Sequence, residues 1–192
     1  LTEHSESPGR LERLAMTASG EKLPPVESWH PLIERDMELR ISRDGVWHYL
    51  GSPIERLSLV RLLSRVLVRE GGEFFLVSPT EKLRIEEEDA PFLAVELECT
   101  VRGESQRLVF RTSVDDVVIA STANPLRVDE DPASGEPRPY IKIRDGLWAL
   151  INRSVYYELM ELIEPAPVAE HQWGVVSEGC FFKLGSLDES EH

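Results

Sequence analysis

The chain has 192 residues, 41% hydrophobic and 29% charged, enough apolar content for a packed core and incompatible with a collagen-like or low-complexity chain. Thirty-five acidic side chains against 21 basic ones leave a formal net charge of −14. A field of that sign opposes phosphate backbones and anionic lipid surfaces, which argues against a bulk nucleic-acid binder or a polybasic membrane protein.

Residues 1–23 are polar and irregular, with Leu11, Leu14 and Ala15 spaced as a single helical turn, so a flexible N-terminal tail is expected. The stretch lacks the basic start and apolar centre of a secretory signal, and no 18-residue uncharged apolar run follows; a soluble, cytoplasmic protein is expected. After Pro24 and Pro25 comes Trp29-His30-Pro31, a stiff segment whose tryptophan should anchor on a core. Alternation at Leu39 and Ile41, turn chemistry at Asp44-Gly45, then Val46, Trp47 and Tyr49 predict a β-hairpin. Ser52, Pro53 and Glu55 read as a capping box with proline at the first helical position. The predicted helix carries Leu59, Leu62, Leu63, Val66 and Leu67 as an apolar stripe and Arg61, Arg65 and Arg69 on another face, until Gly71 and Gly72 stop it.

Strands are predicted at 73–78 and 82–86, a longer hairpin at 92–101 and 106–112, and a β-branched run at 116–120. Residues 129–139, rich in proline and acid, read as a linker or long loop. Residues 140–144, Asp145-Gly146 and 147–150 repeat the hairpin pattern. Asn152 caps a second helix whose buried stripe is Val155, Leu159, Leu162 and Ile163. Strands at 172–177 and 180–184 close the chain around Gly179, and residues 185–192 read as a solvated tail. Cys99 and Cys180 stand in apolar runs without metal-ligand spacing and are expected to be buried free thiols.

Arg43, Asp44, Gly45 and Trp47 recur 101 positions later as Arg144, Asp145, Gly146 and Trp148. Each quartet follows an alternating strand and precedes a capped helix, and Arg56 and Arg153 fall at matching helix starts. Hairpin, helix and strand pair in the same order twice is the mark of a duplicated supersecondary unit. The fold class is therefore α+β with two duplicated half-domains, 24–90 and 91–184, each of antiparallel strands and one main helix. Twin halves bring matching residues to a shared cleft, where ligands commonly sit.

The segments Trp29 to Pro31, Asp44 to Trp47 with Gly51 to Arg56, Pro79 to Lys82, Glu88 to Phe92, Pro125 to Arg127, and Pro139 to Glu158 together resemble the bacterial family called domain of unknown function 1285. The resemblance spans residues 24–184. It implies a duplicated α+β core, a second half superficially like a pleckstrin-homology barrel, a ligand cleft between the halves, and a signalling role with a nucleotide-like ligand. His30 stands where the family pattern carries asparagine, so no role transfers to that position.

Seventeen of the 21 basic residues are arginine. Arginine forks grip phosphate or carboxylate, and tyrosine rings stack on bases. The candidate ligand-binding set is Arg56, Lys82, Arg127, Tyr140, Arg144, Arg153, Tyr156 and Tyr157. The acidic run Glu86–Asp89 lacks glycine-punctuated calcium-loop spacing and reads as a solvated loop. No histidine has a recognisable catalytic partner, and the phosphate-loop, nucleophile-elbow and dinucleotide motifs are missing, so neither catalytic nor metal residues are assigned and no cofactor is expected. The expected function is a ligand-binding or signalling module for a small anionic, nucleotide-like ligand. The alternative is a protein-interaction module that receives a peptide; a hydrolytic enzyme is the least favoured reading.

Overall fold

In the computed structural model, which describes Arg10 and residues 23–102, 105–167 and 171–186, an extended lead-in over residues 23–32 contains one 3-10 turn at Val26–Ser28. Strand β1 (Ile33–Ile41) then turns through Asp44-Gly45 into β2 (Trp47–Tyr49), pairing Leu39 with Tyr49 and Ile41 with Trp47. Leu50 and Gly51, both at positive φ (51° and 77°), reverse the chain at once into β3 (Ser52–Pro53). This second tight turn takes the residues expected to open a helix: Ser52 and Pro53 pair with Tyr49 and His48. Helix α1 (Leu57–Ser64) starts later, with Arg56 at its N-cap and no side-chain cap. It is also shorter than expected and buries Val60 and Ser64, leaving Leu59 and Leu62 exposed. Leu67 belongs to β4 (Leu67–Glu70), and Gly71-Gly72 is a hairpin turn into β5 (Glu73–Val77), not a helix stop. With β6 (Glu81–Glu87) the first sheet runs β3-β2-β1-β6-β5-β4, and β1 lies parallel to β6.

The second half opens with the meander β7 (Phe92–Arg102), β8 (Ser105–Thr112) and β9 (Val117–Ile119). Next come β10 (Leu126–Glu130), β11 (Pro137–Arg144) and β12 (Leu147–Ile151). The expected linker or long loop is thus a loop over residues 131–136, with strand at both of its ends. Pro137 and Pro139 stand opposite Glu130 and Val128 while Lys142 N–H donates to the Pro125 carbonyl at 3.0 Å. That alternation puts both prolines at non-hydrogen-bonded positions, where their missing N–H costs the ladder nothing. Helix α2 (Arg153–Met160) is capped as expected, the Val155 N–H donating to Asn152 Oδ1 at 2.9 Å. A three-stranded sheet of β13 (Glu164–Pro165), β14 (Gln172–Ser177) and β15 (Cys180–Ser186) completes the half, so residues 185 and 186 are strand rather than tail. The six-stranded sheet runs β10-β11-β12-β7-β8-β9. β15 lies beside β10, and Ser177 Oγ accepts the Leu108 N–H at 3.0 Å, so the small sheet curls round to meet both β10 and β8.

The two halves are similar: each is a curled sheet with one helix, and each contains a hairpin leading into that helix. The copies differ in how the hairpin joins its sheet. The first uses its leading strand, β1, parallel to β6; the second uses its trailing strand, β12, parallel to β7. Trp47 and Trp148 both lie on the trailing strand but on opposite faces. Trp47 is 2% exposed in the core, whereas Trp148 is partly exposed beneath Arg127, whose guanidinium lies 4.2 Å from its ring. A five-residue loop joins Ile41 to Trp47, and a two-residue loop with a register shift joins Arg144 to Leu147; that difference turns the second tryptophan outward. One apolar core runs through both halves, from Leu39, Ile41 and Trp47 to Phe92, Phe110, Ile141 and Leu159.

Cys99, within β7, is exposed and Cys180, at the start of β15, partly so, against the expectation of burial; both are free. The expected helical turn at Leu11, Leu14 and Ala15 and the tail beyond residue 186 lie outside the described residues. Arg10 is described, and its Nη2 lies 3.2 Å from Glu96 Oε1. Among the described residues no helix is long and apolar enough to cross a membrane.

Candidate functional site

The two Asp-Gly turns dock reciprocally. A Cβ built on Gly45 would lie 2.7 Å from Leu93 Cγ of the second half, and one on Gly146 would lie 3.0 Å from Arg69 Cβ of the first. Both glycines have positive φ (76° and 70°), so each turn combines a left-handed backbone with a close approach.

Polar contacts extend this junction. The Arg43 N–H donates to Glu88 Oε2 at 2.9 Å, which with the Arg40 ion pair holds the Glu88 carboxyl below the usual carboxylate range. Tyr140 OH donates to Asp89 Oδ1 at 2.7 Å, and Arg138 pairs with the same carboxylate. Asp131 accepts the Ala133 and Ser134 N–H groups at 2.9 and 3.1 Å, and those bonds keep its carboxyl ionised to lower pH than usual. Arg138 (3.2 Å) and Arg43 of the first half (3.6 Å) complete its surroundings. Of the acidic run, expected as a solvated loop, Asp89 thus joins the halves through Tyr140 and Arg138, while Glu88 is held by Arg40 and Arg43 within the first half. Glu87 is half-buried, and that burial pushes its carboxyl up.

Beside the junction lies a cleft of about 970 Å³. One wall is the lead-in with Trp29 and His30; the other is β4 with Arg65 and Arg69; Lys82 comes from β6, and Arg144, Asp145 and Leu147 come from the second hairpin. Lys82 and Arg144 are the sheltered charges, with side chains 18% and 20% exposed. The carboxylates Glu34, Glu70 and Asp145 stand further out, at 49%, 58% and 97%. The most sheltered charges are therefore cations, inside a rim that carries these carboxylates together with the exposed Arg69, in a molecule of net charge −14. Lys82 Nζ sits 2.5 Å from Glu70 Oε2 and 4.1 Å over the Phe75 ring. Arg144 donates Nη1 to Asp116 Oδ2 at 3.0 Å and Nη2 to the Ser64 carbonyl, which ties the second hairpin to the end of α1. The planar guanidinium of Arg144, held in place by these bonds, and the ammonium of Lys82 suit phosphate or carboxylate.

Of the eight residues singled out from the sequence, the structure brings Lys82 and Arg144 together in this cleft. The other six stand elsewhere. Arg56, exposed at the start of α1, hydrogen-bonds Ser58. Arg127 lies on the outer face of the second sheet, 5.0 Å from the Tyr140 ring. Tyr140 is buried with its hydroxyl bonded to Asp89, and burial pushes that hydroxyl's pKa up. On α2, Arg153 Nε donates to Tyr157 OH at 3.1 Å and Tyr156 is half-buried. Sequence reasoning missed Arg65 and Arg69 as cleft residues because it placed them on one long helix. Reading Gly71-Gly72 as a hairpin turn would have put Arg69 on an edge strand.

Residues 24–90 match the family described as "Domain of unknown function (DUF1285), N-terminal domain", and residues 91–184 match "Protein of unknown function (DUF1285), C-terminal domain". A crystal structure of a DUF1285 family protein from Silicibacter pomeroyi DSS-3 is 43% identical, with 93% of this chain and 98% of that chain covered and a TM-score of 0.80. A second, from Shewanella baltica OS155, is 27% identical over 65% of this chain and 91% of its own, with a TM-score of 0.53. No curated protein matches. Two family matches in tandem, over the two halves that the fold itself separates, make this chain a member of the DUF1285 family.

Proposed function

We propose that this protein is a ligand-binding module that takes a small anionic ligand into the cleft between its halves. The observation that carries this reading is the sorting of charge by depth: Lys82 and Arg144 sheltered on the floor, Glu34, Glu70 and Asp145 on the rim. An anion reaching the floor meets cations held in low-dielectric surroundings, where their attraction exceeds that of surface charges. Trp29 on the facing wall offers an apolar ring for a flat group. A nucleotide has both parts, a phosphate for the floor and a base for the wall. Because Arg144 belongs to the second half and Lys82 to the first, such a ligand would tie the halves together, which is what a signalling role requires.

A thermal-shift panel of cyclic and linear nucleotides and pyrophosphate tests this reading, because a ligand that binds only the folded chain raises its stability by mass action. Lys82→Ala is expected to abolish the shift given by the best ligand. Arg153→Ala, on α2, reports whether that helix takes part. No shift with any anion would remove the reading.

A further inference from the structure

Lys82 Nζ is shared between Glu70 Oε2 at 2.5 Å and Glu34 Oε2 at 3.8 Å. Glu34 also takes Arg84, 3.2 Å away, whereas among the described residues Glu70 has Lys82 as its one ion-pair partner. An anion that draws Lys82 to itself therefore strips Glu70 of its counter-charge and leaves two negative groups side by side. The cleft as a whole repeats this balance. Among the described residues four cations and four carboxylates line it, the carboxylates being Glu27, Glu34, Glu70 and Asp145. A purely anionic ligand gains from the sheltered cations and loses against the carboxylates beside them. The lead-in contributes a second, independent feature. Lys82 lies 4.1 Å over the Phe75 ring and Arg144 5.3 Å over that of Phe92, so both sheltered cations already rest on aromatic faces. The half-buried Trp29 on the cleft wall differs: among the described residues no cation lies over its ring, and tryptophan is the strongest aromatic partner a cation can have.

We infer that the cleft takes an aminoalkyl phosphate, its phosphate held by Lys82 and Arg144 and the ammonium at its other end held by Glu70 and the face of Trp29. Such a ligand replaces the Lys82–Glu70 pair without leaving either member alone, since the phosphate takes the lysine and the ammonium takes the carboxylate. Phosphate suits the anionic end because its three oxygens engage an ammonium and a planar guanidinium from separate elements at once. The free molecule fits better than a lipid head group. The lead-in, β4, β6 and the second hairpin enclose the cleft from several sides, and a net charge of −14 opposes approach to an anionic membrane surface. The inference rests on the reading of the cleft as an anion site and adds the second charge of its ligand.

Calorimetric titration of the whole chain compares phosphoethanolamine with propyl phosphate, in which a methyl group stands where the ammonium is. Phosphoethanolamine is expected to bind about tenfold more tightly, the size of one ion pair and one cation–π contact together. Glu70 is exposed at a strand end, so Glu70→Gln keeps the fold. In that variant propyl phosphate should bind at least as tightly as to the parent, because Lys82 is released, while the advantage of phosphoethanolamine falls to about threefold or less. Trp29→Leu, which keeps an apolar wall without the π face, should also reduce the advantage. Equal affinities in the parent, or an advantage that survives Glu70→Gln in full, overturn the inference. Binding of AMP or pyrophosphate with neither alkyl phosphate also overturns it while leaving the anion site intact; failure of every anion removes both. Sedimentation with vesicles of mixed phosphatidylethanolamine and phosphatidylcholine separates the two sources of the head group: binding to vesicles without binding to free phosphoethanolamine overturns the free ligand.

Discussion

Gly45 lies against Leu93, with a Cβ at that glycine falling 2.7 Å from the leucine Cγ, and this contact joins the first Asp-Gly turn to the first strand of the second half. The other turn answers it at Gly146 and Arg69. The motif that recurs in the sequence is thus the motif by which each half grips the other.

Substitutions at three glycines separate backbone strain from this grip. Gly51 has a positive φ of 77° and open space around it, so Gly51→Ala is expected to cost about 1 kcal/mol from conformation alone. Gly45→Ala meets the same backbone strain plus overlap with Leu93, and should cost about 2–3 kcal/mol. Gly146→Ala should fall between them, because its nearest contact, Arg69 Cβ at 3.0 Å, is looser than the 2.7 Å between Gly45 and Leu93 Cγ. Urea denaturation midpoints at constant slope give the order; equal losses at Gly45 and Gly51 would show that the junction is not tightly packed.

Asn152→Ala should destabilise the chain by about 1 kcal/mol, because Asn152 Oδ1 satisfies a free N–H at the start of α2. Arg56→Ala serves as the control, since Arg56 occupies the same place on α1 without any side-chain cap. Denaturant titration should find the Arg56 variant close to the parent. A comparable loss at both positions would contradict the assignment of the cap.

Acid stability should depend on Asp131. Its carboxyl is held below the ordinary value of 3.8, first by the Ala133 and Ser134 amides and then by Arg138. A carboxylate with a depressed folded pKa contributes its full stability above the unfolded value and loses it as pH falls toward the folded one. Asp131→Asn should therefore lower Tm at pH 7, and the difference from the parent should shrink as the pH drops through and below 4. A difference independent of pH would place the effect in packing, not in charge.

Much of this architecture was legible in the sequence because the relevant signals are local. Turn chemistry at Asp44-Gly45 and Asp145-Gly146, alternation in 92–112 and the Asn152 cap each act over a few residues, and each appears where expected. The errors arose where two local readings competed. Ser52-Pro53-Glu55 is good cap chemistry, but Leu50 and Gly51 in left-handed conformations turn the chain first and take Ser52 and Pro53 into a strand. β10 was hidden by its charges, since Arg127, Asp129 and Glu130 sit on exposed positions of a strand whose Leu126 is buried. The cleft was the least legible feature. It is assembled from the lead-in, an edge strand and a hairpin turn that are distant in sequence, and only packing of the halves brings Lys82 and Arg144 together.

The central claim is that Lys82 and Arg144 form an anion site between the halves, and isothermal titration of the parent chain and Lys82→Ala with AMP and pyrophosphate tests it most directly. Saturable, one-to-one binding to the parent, weakened about tenfold or more by loss of a charge-assisted contact in the variant, is the predicted result. Unchanged binding to Lys82→Ala, or no heat from either anion, would contradict it.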